Sequence, residues 1–334
     1  ECGMPTTVRG VYPQGVRPTY KVSFSDGTHV LCDEEHLWKI DRLNPCRREV
    51  RLTSEIKELL NTGKHRVWVP VVEPIQFPKQ ELPIDPWLLG ALLGDGGMTT
   101  GQVTFANTET DIVDRVKASL ISLEGELVST SQEHNYRVNG NQLKMQLEAL
   151  GLFGRKSTEK FIPDVYKFSS VPDRLALVQG LMDTDGWVQI QSHSGQNGKK
   201  YDTSGVLAYS TSSPQLAEDV AFLMRSLGAT VTVSKRSTTH EDAYRFSIHP
   251  PKDNGLLFIS SQKHLSNFTL PQTDPWKRIE SIQKVADVEC QCIWVDSPAH
   301  TFITNGVTVT HNTFLAGTAA LVDDYSDVLY VALE

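Results

Sequence analysis

The sequence predicts a mixed architecture, in which an all-β domain is interrupted by a duplicated, pseudo-twofold α/β domain. Three observations carry this reading. Short alternating β runs lie toward both ends of the 334-residue chain. The middle repeats one grammar of helix, strands, helix and strands, and prolines mark both changes of pattern.

Composition sets the frame. Hydrophobic residues make up 39% and charged residues 22%, as in globular proteins with more than one core. No apolar run reaches the roughly 20 residues of a membrane helix, and the start ECGMPTTVRG lacks a signal core. A soluble, intracellular monomer with no membrane partner is expected. Five cysteines without framework spacing argue against structural disulfides. A net charge of −8 disfavours a passive nucleic-acid coat but leaves room for a local basic stripe.

Along the chain, residues 15–32 alternate through YKVSF, turn at Asp26-Gly27 and continue as THVLC, a hairpin pattern. HRVWVPVVEP at 65–74 adds a strand, so the first eighty residues read as all-β. Pro83 and Pro86 in KQELPIDP then precede the apolar run WLLGALLGDG. Near HLSNFTLPQTDP, residues 264–275, short strands return as KRIESIQKV, QCIWVD, HTFIT and GVTVTH. The expected boundaries are 1–80, 81–268, 269–312 and a downstream segment at 313–334.

In the middle, LLGALLGDG and VQGLMDTDG each run a helix into Asp-Gly, followed by two strands, a helix and two strands. Gly90, Ala91 and Gly180 would allow the two helices to approach closely, bringing Asp95 and Asp185 together. Two close carboxylates repel unless they share a cation, and hard oxygen donors suit Mg²⁺, which activates water and neutralises a phosphodiester. The plainer alternative makes both aspartates ordinary turn residues.

The two segments resemble the paired signature helices of LAGLIDADG homing endonucleases, over roughly residues 83–266. That resemblance implies metal-binding, catalytic Asp95 and Asp185, with Asp183 in a supporting role. It implies a catalytic lysine in GRKSTEKFIP, Lys160 ahead of Lys156, and a counterpart at Lys235 in the second repeat. It also implies strand saddles in the major groove of double-stranded DNA, with Gln102, Thr104, Asn135, Arg137, Gln189, Gln191, Arg236 and Arg245 in suitable regions.

The flanks suggest a second chemistry. In GVTVTHNT, residues 306–313, the Asn312 amide can attack its own carbonyl, with His311 moving protons, and Thr313 then exposes an amine and a hydroxyl. This run, with CDEEHLW and QCIWVDSPAH, resembles an intein of the third mechanistic class, a Hedgehog/intein-type splicing fold interrupted by the endonuclease. The resemblance implies Trp38, Cys292 and Thr310 as a linked set, with Cys292 attacking the upstream junction. His36 would polarise that bond, and His300 and His311 would assist asparagine cyclisation, with no cofactor for splicing. Cys290 is the rival thiol. Cys2 is either the terminal nucleophile or an interior residue of a domain lacking its usual opening. The implied partners are flanking host segments, with a P-loop ATPase as host because Thr313 before a helix fits a Walker A continuation. The competing readings are a splicing-defective intein that keeps terminal or DNA cleavage, and a free-standing duplicated nuclease.

Overall fold

The computed structural model describes residues 2–42, 47–99, 101–194, 200–237, 242–252, 257–266, 268, 269, 271 and 275–311. The chain divides into two compact units, residues 1–76, 228–232 and 275–334, and residues 77–227 and 233–274. It opens with β1 (Val8–Phe24), β2 (His29–Asp33), β3 (Leu37–Arg42), β4 (Arg47–Leu52), α1 (Thr53–Asn61) and β5 (Val67–Val69). Then come α2 (Pro86–Asp95), β6 (Gly96–Gly97), β7 (Thr104–Ala106), α3 (Thr110–Leu120), β8 (Glu126–Ser129), β9 (Asn135–Asn139), α4 (Gln142–Ala149) and α5 (Asp164–Lys167). The second repeat holds α6 (Val171–Asp185), β10 (Gly186–Ser194), β11 (Lys200–Thr211), α7 (Pro214–Ser226), β12 (Thr230–Ser237) and β13 (Asp242–His249). After α8 (Gln262–Leu265), the chain closes with β14 (Lys277–Val295), β15 (Thr301–Thr304) and β16 (Thr308–His311).

The first unit is built on a six-stranded sheet of order β2-β1-β14-β5-β3-β4, with β15 and β16 pairing separately. The expected hairpin at 15–32 is present. Tyr20 faces Cys32 and Val22 faces Val30, and the Asp26 side chain accepts from the Thr28 amide at 3.0 Å to close the turn. Inward alternation then buries Val22, Phe24, Val30 and Cys32 with Trp38, Ile40, Ile56, Val67, Val69, Ile279 and Ile282.

Three features differ from the sequence expectation. The first eighty residues are not all-β, because TSEIKELLN forms α1, burying Ile56 while the Glu55 side chain accepts from the Leu52 amide at 3.0 Å. β1 begins at Val8, since irregularities at Val8/Gly10 and Pro13/Gly15 absorb the residues that break its pattern. KRIESIQKV and QCIWVD form one strand, β14, because β1 pairs with it along almost its whole length.

The repeated grammar forms two four-stranded sheets, β6-β7-β9-β8 and β10-β11-β13-β12, with antiparallel pairing. The centre of the second unit is the α2 and α6 pair. α2 is buried from Trp87 through Leu93, and α6 is buried mainly over its second half, from Leu177 to Asp183. A Cβ on Gly180 would lie 2.1 Å from the Trp87 carbonyl oxygen, and one on Gly90 would lie 2.3 Å from that of Leu177. Backbone therefore packs directly on backbone. Among the described residues, no helix is long and apolar enough to cross a membrane.

Candidate functional site

Asp95 and Asp185 are the last residues of α2 and α6. The missing Cβ of Gly94 admits the facing helix: an added one would lie 2.1 Å from Thr184 Oγ1 and 3.3 Å from Asp185 Oδ2. Burial raises the Asp95 carboxyl, against a hydrogen bond from Asn107 and the charge of Lys160. Asp185 is pushed up to about 6 by burial and then by the Asp95 charge, again against Lys160. The helix pair thus brings two partly buried carboxylates within electrostatic reach of each other.

Lys160 is 6% exposed. Its Nζ donates to the carbonyls of Leu93 at 2.8 Å, Gly96 at 2.9 Å, Gly94 at 3.2 Å and Leu92 at 3.3 Å. These oxygens lie at the end of α2, where most carbonyls lack helical partners and the dipole is negative, although that of Leu92 also accepts from the Gly96 amide. Burial lowers Lys160 to about 8, against the attraction of Asp185 and Asp95. The Lys160 carbonyl accepts from Ser213 Oγ at 2.6 Å, and Ser213 also caps α7. Lys160 is therefore held from both ends.

The other expected positions separate clearly. Lys156 is exposed. Lys235, expected as the second repeat's counterpart, pairs with Asp242 at 2.6 Å and lies over the Tyr244 ring, 5.9 Å away. The strand beside β12 supplies that carboxylate, and the side chain is exposed. Asp183 is 4% exposed and accepts from Trp87 Nε1 at 3.0 Å, the amides of Ser260 and Ser261 at 2.8 and 2.9 Å, and Ser260 Oγ. Arg115 stacks on the Trp87 ring at 4.1 Å and donates to Ser260 Oγ at 2.8 Å. Asp183 ties the helix pair to the chain after β13.

Among the described residues, no group of three or more His, Cys, Asp and Glu gathers around a metal position. Asp95 and Asp185 offer two hard carboxylate donors, and the cation nearest them is already engaged by carbonyls. That set fits a divalent ion completed by substrate and water oxygens. On β7, β9 and the residues leading into β7, Gln102, Thr104 and Arg137 are exposed while Val103, Phe105 and Val138 are buried. Arg245 stacks on Trp187 at 5.1 Å. The side chain of Gln191 lies outside the described residues.

Sequence reasoning missed Asn107. Its Nδ2 donates to Asp95 Oδ2 at 2.6 Å, and its Oδ1 accepts from the Glu109 amide at 2.8 Å. The signal was present as an asparagine two residues before a helix-opening Glu-Thr.

In the first unit, His36, just before β3, and Thr310 on β16 meet in a hydrogen bond between Nε2 and Oγ1. Trp38 meets the His36 ring edge-on, with centroids 5.0 Å apart, and donates to Thr53 Oγ1 at 3.0 Å. Thr53, also missed, donates to the His36 carbonyl at 3.1 Å and fixes both residues. His300 and His311 lie with ring centroids 6.0 Å apart. Cys292 is 5% exposed on β14, opposite Tyr12. Its rival Cys290 is also buried, and burial raises its thiol. Cys2, Cys32, Cys290 and Cys292 are not joined in disulfides. Asn312, Thr313 and the downstream segment lie outside the described residues.

Burial lowers His36 to about 3, helped by His311. The unfolded imidazole titrates near 6.5, so between that pH and about 3 the unfolded chain binds the extra proton. Stability of the first unit is therefore complete above pH 6.5 and falls as pH drops, with a limiting slope of about 1.4 kcal/mol per pH unit. Denaturant titrations at stepped pH should show this slope, and His36→Gln should flatten it.

A profile for a LAGLIDADG-like domain matches residues 173–269. The chain is 28% identical over 331 residues to a replicative DNA helicase DnaB of Mycobacterium intracellulare, covering 90% of this chain and 51% of that one. It is 25% identical over 242 residues to the replicative DNA helicase DnaB of a Nostoc species, covering 68% and 25%. It therefore spans about half or less of these relatives. Among solved structures, mesophilic variants of the homing endonuclease I-DmoI align at 14% identity with a TM-score of 0.34, covering 50% of this chain and 88% of theirs. What the comparisons show for this chain is therefore a LAGLIDADG-like domain over part of its length, at residues 173–269.

Proposed function

We propose that the second unit cuts double-stranded DNA at a specific site. The supporting observation is the glycine-packed α2 and α6 pair, which sets Asp95 and Asp185 side by side with Lys160 beneath them. Asp95 and Asp185 would hold a divalent cation, expected to be Mg²⁺, which when bound supplies a polarised water and neutralises phosphate charge. Lys160 keeps the α2 terminus in place and adds positive potential under the pair. Asn107 orients Asp95. Exposed Thr104 and Arg137, which pair across β7 and β9, face outward, as residues that read a duplex would. The test is incubation with a random duplex library and Mg²⁺, followed by sequencing of cut ends. One recurrent site supports the reading, and an uncut library refutes it.

A second reading, self-splicing by the first unit, is favoured by the cluster of His36, Trp38, Thr53 and Thr310 with the neighbouring His300 and His311. The Cys292 thiol would attack the upstream junction carbonyl, giving a thioester and freeing the intein's amino end. The acyl group would pass to the Thr313 hydroxyl. The Asn312 side-chain nitrogen would then close on its own carbonyl, releasing the Thr313 amine, to which the acyl group moves to form the new peptide bond. The helicase relatives suggest a replicative helicase, a P-loop ATPase, as host. Intact mass of the chain beside Asn312→Ala tests the last cleavage: release of residues 313–334 that persists in the variant would refute the Asn312 role.

A further inference from the structure

The β15–β16 hairpin turns at Gly306, with φ of +67°. A Cβ there would lie 2.7 Å from Thr28 Cγ2, so this turn abuts the one between β1 and β2. Lys277, the first residue of β14, sits between them and is 3% exposed. Its Nζ donates to Thr308 Oγ1 at 2.9 Å, the Gly306 carbonyl at 3.0 Å and Thr28 Oγ1 at 3.1 Å, and it lies 3.0 Å from Asp26 Oδ2. Asp26 in turn accepts from the Thr28 amide and hydroxyl.

A buried ion pair is a poor source of net stability, because desolvation offsets its attraction. This one joins three segments far apart in sequence. A two-stranded hairpin with four-residue strands has no core of its own, so its position must come from what grips it. One end is gripped by Lys277. The other carries Thr310, bonded to His36, and His311 beside His300.

We propose that Lys277 is a positioning residue, fixing the β15–β16 turn on the β1–β2 turn and thereby registering Thr310 and His311 against His36. Its consequence for chemistry rests on the self-splicing reading. Its geometric consequence does not.

The test compares the full chain with Lys277→Met, Lys277→Arg and the double variant Asp26→Asn/Lys277→Met. The readouts are amide exchange in residues 301–311, the His36 titration by NMR, and release of residues 313–334. The double variant leaves no buried charge unpaired, so it separates anchoring from simple destabilisation if Lys277→Met does not fold. Loss of the grip should speed exchange at Ile303 and Val309 by about tenfold, the scale of one or two buried hydrogen bonds. Exchange in β1 and β14 should stay unchanged, and His36 should titrate nearer its ordinary value. Lys277→Arg should recover part of both effects. Wild-type exchange and His36 titration in the double variant would overturn the proposal. A wild-type chain that releases no tail would refute the splicing reading, while exchange and titration would still decide the role of Lys277.

Discussion

Asp185→Asn is expected to abolish DNA cleavage while leaving duplex affinity and folding intact. The substitution keeps the side chain's shape but removes one of two carboxylates available to a cation. The loss in single-turnover rate should be about 10³-fold or more, the scale seen when a group that stabilises transition-state charge is removed. A second readout excludes a merely structural role. Asp185 is raised to about 6 by burial and by Asp95, so at neutral pH its ionised form is held at a cost to the fold. The variant should therefore be at least as stable as the wild type in metal-free denaturant melts. Wild-type cleavage by this variant, or by Asp95→Asn, would sink the nuclease assignment to this pair.

Gly180→Ala should destabilise the second unit by about 2 kcal/mol, although alanine is intrinsically the better helix former by about 1 kcal/mol. The added methyl would meet the Trp87 carbonyl oxygen at 2.1 Å and the Ala91 amide nitrogen at 2.7 Å. Both are backbone atoms and cannot swing aside, so the helices must part. Separation would also spread Asp95 from Asp185, and cleavage should fall with stability. Gly180→Val should prevent the unit from folding. Urea unfolding of the alanine variant gives the check, and a gain in stability would mean that propensity governs and the close approach does not.

The legible parts of this protein are those whose cause is local. Two Asp-Gly helices bearing small residues at one face announced the α2 and α6 contact, and the Asp26-Gly27 turn announced its hairpin. Lys160 was singled out by resemblance alone, and its hydrogen bonds could not be read because the carbonyls it caps lie more than sixty residues upstream. The pairing of Lys235 with Asp242 was not legible either, because a basic residue in a strand says nothing of the neighbour that neutralises it. Asp183 could be placed in a motif, yet its donors Trp87, Ser260 and Ser261 come from distant segments. α1 carried a helical period in TSEIKELLN that a strand-rich neighbourhood obscured. Cys292 and Thr310 were legible only through resemblance, since neither burial nor the His36 bond follows from their spacing.

The pairing of β1 with β14 has a consequence during synthesis. Val22 pairs with Ile282, and at ribosomal rates of roughly 5–20 residues per second β1 waits for its partner for on the order of tens of seconds. In that interval the intervening residues can fold, shortening the loop that β1 and β14 must close. Meanwhile β1 exposes an unpaired edge carrying Val11, Tyr12 and Val16, which remain outward even in the finished fold. Pro13, Pro18, Arg9 and Arg17 interrupt that edge, in the manner by which proteins discourage strand-to-strand association. The same irregularities that hid β1 in the sequence guard it on nascent chains, where neighbouring copies on one message would otherwise offer it the wrong partner.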